Sequence, residues 1–185
     1  PTNGQELFVK KNGELTYEWS ASEQVALGDT EPDAQGSFGF NLRYKNWSLF
    51  TTFMYQFGGQ EYNTTLVEKV EDADIYRYNA DKRVLTDRWQ KPGDKAKYRA
   101  LSSGLFSITQ TRPTERFVQN KNVLTCNSLS ISYDFNPELL KKLHLGMVRL
   151  ELGANELFRL STIKAERGLS YPFARTMDIT LHVTF

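Results

Sequence analysis

The sequence predicts an all-β chain whose antiparallel strands form a stretch of a transmembrane β-barrel. Three observations carry that reading: strict alternation of apolar and polar residues over segments of about ten, connections that are alternately short and long, and an alternating last segment that runs to Phe185. Successive strand side chains point to opposite faces, so a strand between lipid and a watery lumen must alternate with period two.

The first alternating segment, 36–45, sets Phe38, Phe40, Leu42 and Tyr44 against Gly39, Asn41, Arg43 and Lys45. A tight turn at Lys45-Asn46 leads into Trp47, Leu49, Phe53, Tyr55 and Phe57, with Phe50 and Met54 blurring the opposite face, and the two segments read as a hairpin. A third strand starts near Lys121 and carries Leu129, Ile131, Tyr133 and Phe135 between Ser128, Ser130, Ser132 and Asp134. In the fourth, Val148, Leu150, Leu152 and Ala154 alternate with Arg149, Glu151, Gly153 and Asn155, which puts a basic and an acidic residue together on the polar face. The fifth sets Met177, Ile179, Leu181, Val183 and Phe185 against Thr176, Asp178, Thr180, His182 and Thr184. Ten such residues extend roughly 33 Å, and a tilt of about 40° reduces this to about 25 Å, the height of a barrel's apolar band.

The connections divide in the same way. Residues 45–46 and 136–146 are short, whereas 58–120 and 156–175 are long, the arrangement of short periplasmic turns and longer extracellular loops. With the short turns inside, the last strand runs inward and Phe185 reaches the periplasmic rim. Residues 58–120 are expected as an extracellular loop with a short helix near 63–70, and Trp89 among its tyrosines and charges is a candidate contact residue. Asn136-Pro137-Glu138 predicts a helical turn with Asn136 as N-cap and Pro137 at the first helical position. Residues 7–10 and 15–19 around Lys11-Asn12-Gly13 suggest a further hairpin within an N-terminal region, 1–35, that precedes the barrel strands of 36–185.

Composition removes most other classes. With 23 basic and 22 acidic residues in 185, the charge gives no support for a nucleic-acid partner held through phosphates. One cysteine, Cys126, cannot form an internal disulfide, and no His/Cys cluster stands at metal-ligand spacing. No apolar stretch approaches the roughly 18–20 residues of a membrane helix. Nucleophile elbow, phosphate loop and zincin motifs are absent, so no enzyme and no cofactor is expected. The sequons at Asn46 and Asn63 are read as chance matches.

Several phrases along 28–185 resemble the late barrel of the SusC/RagA family of TonB-dependent outer-membrane transporters. They are Gly28-Asp29-Thr30-Glu31-Pro32 leading into Gly36-Ser37-Phe38, Tyr44-Lys45-Asn46-Trp47-Ser48-Leu49, and Tyr55-Gln56-Phe57-Gly58-Gly59. Leu129-Ser130-Ile131-Ser132-Tyr133, the Pro137-Glu138-Leu139-Leu140 turn, Ala154-Asn155-Glu156-Leu157-Phe158, Tyr171-Pro172-Phe173-Ala174-Arg175 and the closing Phe185 follow. Each is short; their order makes the match specific. Where the family usually has Asn-Asn or Asn-Leu, Glu156 stands between Asn155 and Leu157.

The resemblance implies the C-terminal part of a 22-stranded outer-membrane barrel in a Gram-negative cell. It also implies a plug domain and a TonB-contacting segment outside these residues, and a SusD-like surface lipoprotein as partner. The cargo would be a large nutrient, an oligosaccharide first and a peptide second, and five to seven strands would lie here against membrane lipid. Phe185 resembles the terminal signal read by barrel-assembly machinery, and Arg43, Asp134, Arg149, Glu151 and Asp178 become candidate lumen-wall residues. The rival reading is a soluble or secreted β-sandwich that binds carbohydrate or another ligand through Trp89 and the tyrosine-rich loop, its aromatic face forming a closed core.

Overall fold

The computed structural model describes residues 3–77, 79–101, 110–164 and 175–185. The chain forms two compact units, 1–29 with 61–119 and 30–60 with 120–185.

The second unit is the predicted wall. Its five long strands are β3 (Ala34–Tyr44), β4 (Trp47–Phe57), β7 (Val123–Asp134), β8 (Met147–Ser161) and β9 (Thr176–Thr184). They lie side by side in the order β3-β4-β7-β8-β9, every neighbour antiparallel. This is the up-and-down meander that alternate short and long connections require. At the β3–β4 turn Tyr44 faces Trp47, and Lys45 takes a positive φ of 53°. Asn46 ties the turn to the next strand: its side-chain amide donates to the Asp134 carbonyl at 2.8 Å, and its own carbonyl accepts from the Asp134 N–H at 2.9 Å. Between β7 and β8 the expected helical turn is present as Pro137–Lys142, with the Asn136 side chain accepting from the Glu138 N–H at 3.0 Å. β4 is followed by Gly58, whose φ of 77° suits glycine, and where a Cβ would lie 2.0 Å from the Asp33 carboxylate.

β8 runs further than alternation indicates, to Ser161, because a bulge intervenes. Cys126 pairs with Phe158 but Ser128 pairs with Asn155, so Asn127 faces the two residues Glu156 and Leu157. Glu156 sits at φ 49°, a left-handed conformation that Asn or Gly adopts more readily than Glu. β8 keeps its phase through the bulge, Leu152 and Phe158 lying on one face, and periodicity loses the strand after Asn155 because Glu156 stands at an apolar position of the pattern and Leu157 at a polar one; parity changes on β7 instead, where Leu129 and Cys126 share the face of Thr51 and Phe53. Glu156→Asn is expected to stabilise the barrel by about 0.5–1 kcal/mol, read as a rise in the urea midpoint of the folded full-length protein.

The first unit holds its own core. A two-stranded hairpin, β1 (Phe8–Val9) with β2 (Leu15–Thr16), stands where the sequence suggests one. The short helix expected near 63–70 is one α turn, Thr64–Leu66, running into a π turn, Val67–Glu71, and is capped by the Asn63 side chain accepting from the Leu66 N–H at 3.1 Å. Its apolar face packs Leu66, Val67 and Val70 against Val84, Tyr98 and Phe117. A second short ribbon pairs β5 (Gln60–Tyr62) with β6 (Val118–Asn120). The connection between β4 and β7 therefore contains a folded unit, whose buried residues are too scattered along the chain to show a period. The phrase Tyr171-Pro172-Phe173-Ala174 lies outside the described residues.

Candidate functional site: a two-faced wall and an aromatic cleft

Register turns the alternation of five separate strands into two continuous faces. Across one row, Leu42 faces Leu49, Leu49 faces Ile131, Ile131 faces Leu152, and Leu152 faces Ile179. Every member of this face is apolar or nearly so, and many are exposed, Ile179 at 75% and Leu181 at 59%. Within the face the aromatics separate from the aliphatics. Trp47 and Tyr133 (centroids 4.8 Å apart), Tyr133 and Phe135 (5.2 Å), and Tyr44 gather at the end with the short turns. Phe38 stacks on Phe53 (5.1 Å) and joins Tyr55, Phe57 and Phe158 towards the other end. Leu42, Leu49, Ile131, Leu152 and Ile179 fill the band between. Aromatic girdles around an aliphatic belt suit a surface with lipid tails in the middle and headgroups at both edges. A soluble sandwich core has no reason to sort its residues by height. The Thr51 hydroxyl, buried in this face, donates to the Ser128 carbonyl at 3.1 Å beside the bulge.

The opposite face is polar and connected. Arg149 forms a two-pronged pair with Asp134, Nε to Oδ1 at 2.6 Å and Nη2 to Oδ2 at 3.0 Å, and Arg43 approaches the same carboxylate at 3.8 Å. Glu151 accepts from the Ser130 hydroxyl at 2.7 Å and faces His182 at 3.8 Å. Four of the five predicted wall residues thus join one polar strip. Asp178 stands apart from those contacts on the same face, its carboxylate over Gly153, where a Cβ would meet it at 2.5 Å. These pairs are largely solvated and add little to stability, so their effect is to hold a hydrophilic wall in shape. Phe50 and Met54, the two residues that blur the pattern in the sequence, are exposed on this face. Phe185 continues the apolar parity of β9 and is 92% exposed.

The first unit holds a cleft of about 1330 Å³. Trp89, singled out in the sequence, lines it together with Trp19, Tyr62 and Tyr98. Gly4 (φ 69°) lets the backbone lie against the Trp89 indole, where a Cβ would sit 2.5 Å from Cε3, and its carbonyl accepts from the Ala100 N–H at 3.0 Å. Trp19 is anchored by its indole N–H donating to the Pro113 carbonyl at 3.1 Å.

Behind the cleft lies an ion network that sequence reasoning missed. Arg116 bridges Glu6 and the fully buried Glu71 carboxylate, each at 2.7 Å, while Arg99 pairs with Asp72. Asp72 also accepts from the Thr111 N–H at 2.8 Å and the Thr111 hydroxyl at 2.5 Å. Buried Arg88 donates to the carbonyls of Val84 (3.0 Å), Arg99 (2.8 Å) and Val70. In the sequence these residues read as a solvated charged loop; the only signal was acidic and basic residues in similar number across a long connection.

Burial pushes the Glu6 carboxyl above the usual carboxylate range even though the Arg116 guanidinium pulls it down. Its charged form is therefore less favourable in the folded unit than in the unfolded chain. The stability linked to its proton is present below its ordinary pKa and is lost as pH rises through the raised value. Glu6→Gln is expected to leave the unit at least as stable at neutral pH and to remove this part of its gain on acidification, measured as protease resistance against pH.

The chain is 23% identical over 200 aligned residues to TonB-dependent receptor P39 of Formosa agariphila, an alignment covering 98% of this chain and 19% of that protein. It is 27% identical over 154 residues to TonB-dependent receptor P3 of the same organism, covering 83% of this chain and 14% of that protein. No family model matches the chain. Among solved structures, its fold is similar to the RagAB peptide importer in the open-open state, with a TM-score of 0.73, 18% identity, and 99% of this chain against 21% of that one. A second structure of the RagAB peptide transporter gives a TM-score of 0.68 at 19% identity, covering 88% of this chain and 18% of that one. The chain spans between 14% and 21% of the length of these relatives. Ordered motifs, the two-faced meander, receptor-named relatives and the RagAB-like fold agree: the chain is similar to part of a TonB-dependent receptor of the SusC/RagA type and has the fold of the matching part of its structural neighbours.

Proposed function

We propose that this chain contributes wall strands and extracellular loops to a TonB-dependent importer in the outer membrane of a Gram-negative cell. The observation that carries the reading is the sheet with one continuous apolar face, belted by aromatics, and one face that is polar except at Phe50 and Met54. Strands β3, β4, β7, β8 and β9 separate lipid from lumen, and residues 1–35 and 58–120 stand on the extracellular side. Arg43, Asp134, Arg149, Glu151 and Asp178 line a hydrated lumen, and Phe185 serves as the assembly signal. The role is transport, without covalent chemistry or a cofactor.

Energy comes from TonB acting on a plug that the remainder of the polypeptide supplies. A SusD-like surface lipoprotein covers the extracellular mouth; the two-component RagAB name of the structural neighbours supports such a partner. The cargo is a large nutrient, in the first reading an oligosaccharide. The peptide-importer names of the structural neighbours favour a second reading, a peptide. The test is fractionation of the full-length gene product, its heat-modifiable gel migration, and TonB-dependent uptake of labelled oligosaccharides. An outer-membrane, heat-modifiable product with uptake lost in a TonB-deficient strain is expected. If these 185 residues alone gave a cooperatively melting monomer without detergent, the wall reading would fail and the ligand-binding sandwich would replace it.

A further inference from the structure

The polar face of the wall carries two side chains that break its own pattern. Phe50 and Met54 stand on β4, one turn of small residue between them, on the face opposite the apolar one, and are 46% and 53% exposed. Their neighbours in the sheet are small. Asn41 and Ser130 flank Phe50, Ser37 and Thr125 flank Met54, and Gly39, Thr52 and Ser128 form the row between them. Beyond Ser130 the row of Phe50 continues to Gly153. Two apolar knobs therefore rise from a floor of serine, threonine, glycine and asparagine. Next to the Phe50 ring opens a hollow of about 650 Å³, lined by Phe50 together with Arg43, Arg149 and Glu151.

This arrangement selects a resident packing neighbour over water or a passing solute. A wall that met only water would carry polar or small side chains at 50 and 54, as the adjoining positions do, because an apolar side chain left in water forgoes the free energy of burial. The charges that border the hollow already have partners, Arg149 in Asp134 and Glu151 in the Ser130 hydroxyl, so they call for no charged ligand. A floor of small side chains lets a solid body reach the wall and surround both knobs, where long solvated side chains would hold it away. In a barrel as wide as the importer reading requires, the lumen is plugged. Most of the length of the matched receptors lies outside the part that this chain covers, which leaves ample polypeptide for such a body.

We propose that Phe50 and Met54 are the seat on which the plug of the same polypeptide packs against this stretch of wall. The proposal rests on the importer reading and names a contact within it. The plug presents apolar side chains to the two knobs and hydrogen-bonding groups to Ser48, Ser130 and Ser132 around the hollow.

The test uses the full-length protein in the outer membrane, with the photo-crosslinker p-benzoylphenylalanine replacing Met54, and replacing Ile179 on the apolar face as a control. Adducts from position 54 to the plug, located by mass spectrometry, and none from 179 are expected. In the purified, folded barrel, Phe50→Ser should raise the rate at which trypsin cuts the plug about fivefold to tenfold, as the loss of a partly buried aromatic contact predicts, whereas Phe50→Leu keeps it near that of the parent. Heat-modifiable migration establishes that each variant barrel is folded, and should Phe50→Ser not fold, the crosslinks from 54 decide alone. The proposal is overturned if position 54 of a folded barrel crosslinks only to wall strands, to the loops of these 185 residues or to a separate protein. It is equally overturned if 54 gives no protein adduct, or if Phe50→Ser leaves cleavage of the plug unchanged. A folded, importing barrel whose position 54 never meets the plug sinks the seat alone, whereas a product absent from the outer membrane sinks the importer reading.

Discussion

Leu152→Lys in the full-length protein is expected to destabilise the folded barrel by about 2–4 kcal/mol, the effect of a lysine on the lipid face near the bilayer midplane. Leu152 stands in the central aliphatic row between Ile131 and Ile179, away from both aromatic clusters, so its replacement cannot reach a headgroup without bending the strand. Urea titration of the protein refolded into lipid vesicles reads the loss, and the fraction of heat-modifiable protein in the outer membrane should fall with it. Thr180→Lys is the matched control. Thr180 faces Glu151 across β8 and β9 on the polar side, so a lysine there remains in water and is expected to change stability by no more than about 0.5 kcal/mol. Equal tolerance of both lysines would mean that neither face meets lipid.

Phe117→Ala is expected to remove about 3–5 kcal/mol from the first unit, the range for deleting a fully buried phenylalanine side chain. Phe117 is 1% exposed, meets the edge of Tyr62 at a centroid distance of 6.0 Å, and carries the Arg116 guanidinium 4.5 Å from its ring centre. Its loss therefore opens a cavity beside the Arg116–Glu71 pair. Limited proteolysis of the full-length protein should show new cleavage within 61–119, while gel migration of the folded barrel stays unchanged. Unaltered protease resistance would show that this unit does not depend on the core described for it.

The wall was legible because its physics is local. A strand between two solvents must alternate, and in a meander each strand pairs with the next wall strand along the chain, so five separate alternations were enough to predict the sheet and the faces of Arg43, Asp134, Arg149, Glu151 and Asp178. Asn136-Pro137 marked its helical turn because a cap and a proline act within three residues. Alternation failed at 155–158, where a bulge sets Glu156 and Leu157 opposite the single residue Asn127 and puts a glutamate where the pattern calls for an apolar side chain. Only the pairing of Cys126 with Phe158 and of Ser128 with Asn155 reveals it. The resemblance phrase Ala154-Asn155-Glu156-Leu157-Phe158 lies on that bulge.

The long connection was not legible, since nothing local distinguishes a solvated charged loop from a folded unit with charges inside. Glu71 and Arg116 are 45 residues apart, and a carboxylate is buried only when the rest of the fold brings a guanidinium to it. By itself, the sequence determined the strands, their faces, the short turns and the membrane-barrel class, because each follows from period, length or a cap within one element. Tertiary structure alone decided the height-sorted aromatic girdles, the Arg43–Asp134–Arg149 strip, and the cleft of Trp89 with its ion network. Those depend on register and on long-range charge pairing, in which each residue's environment is set by partners far away in the chain.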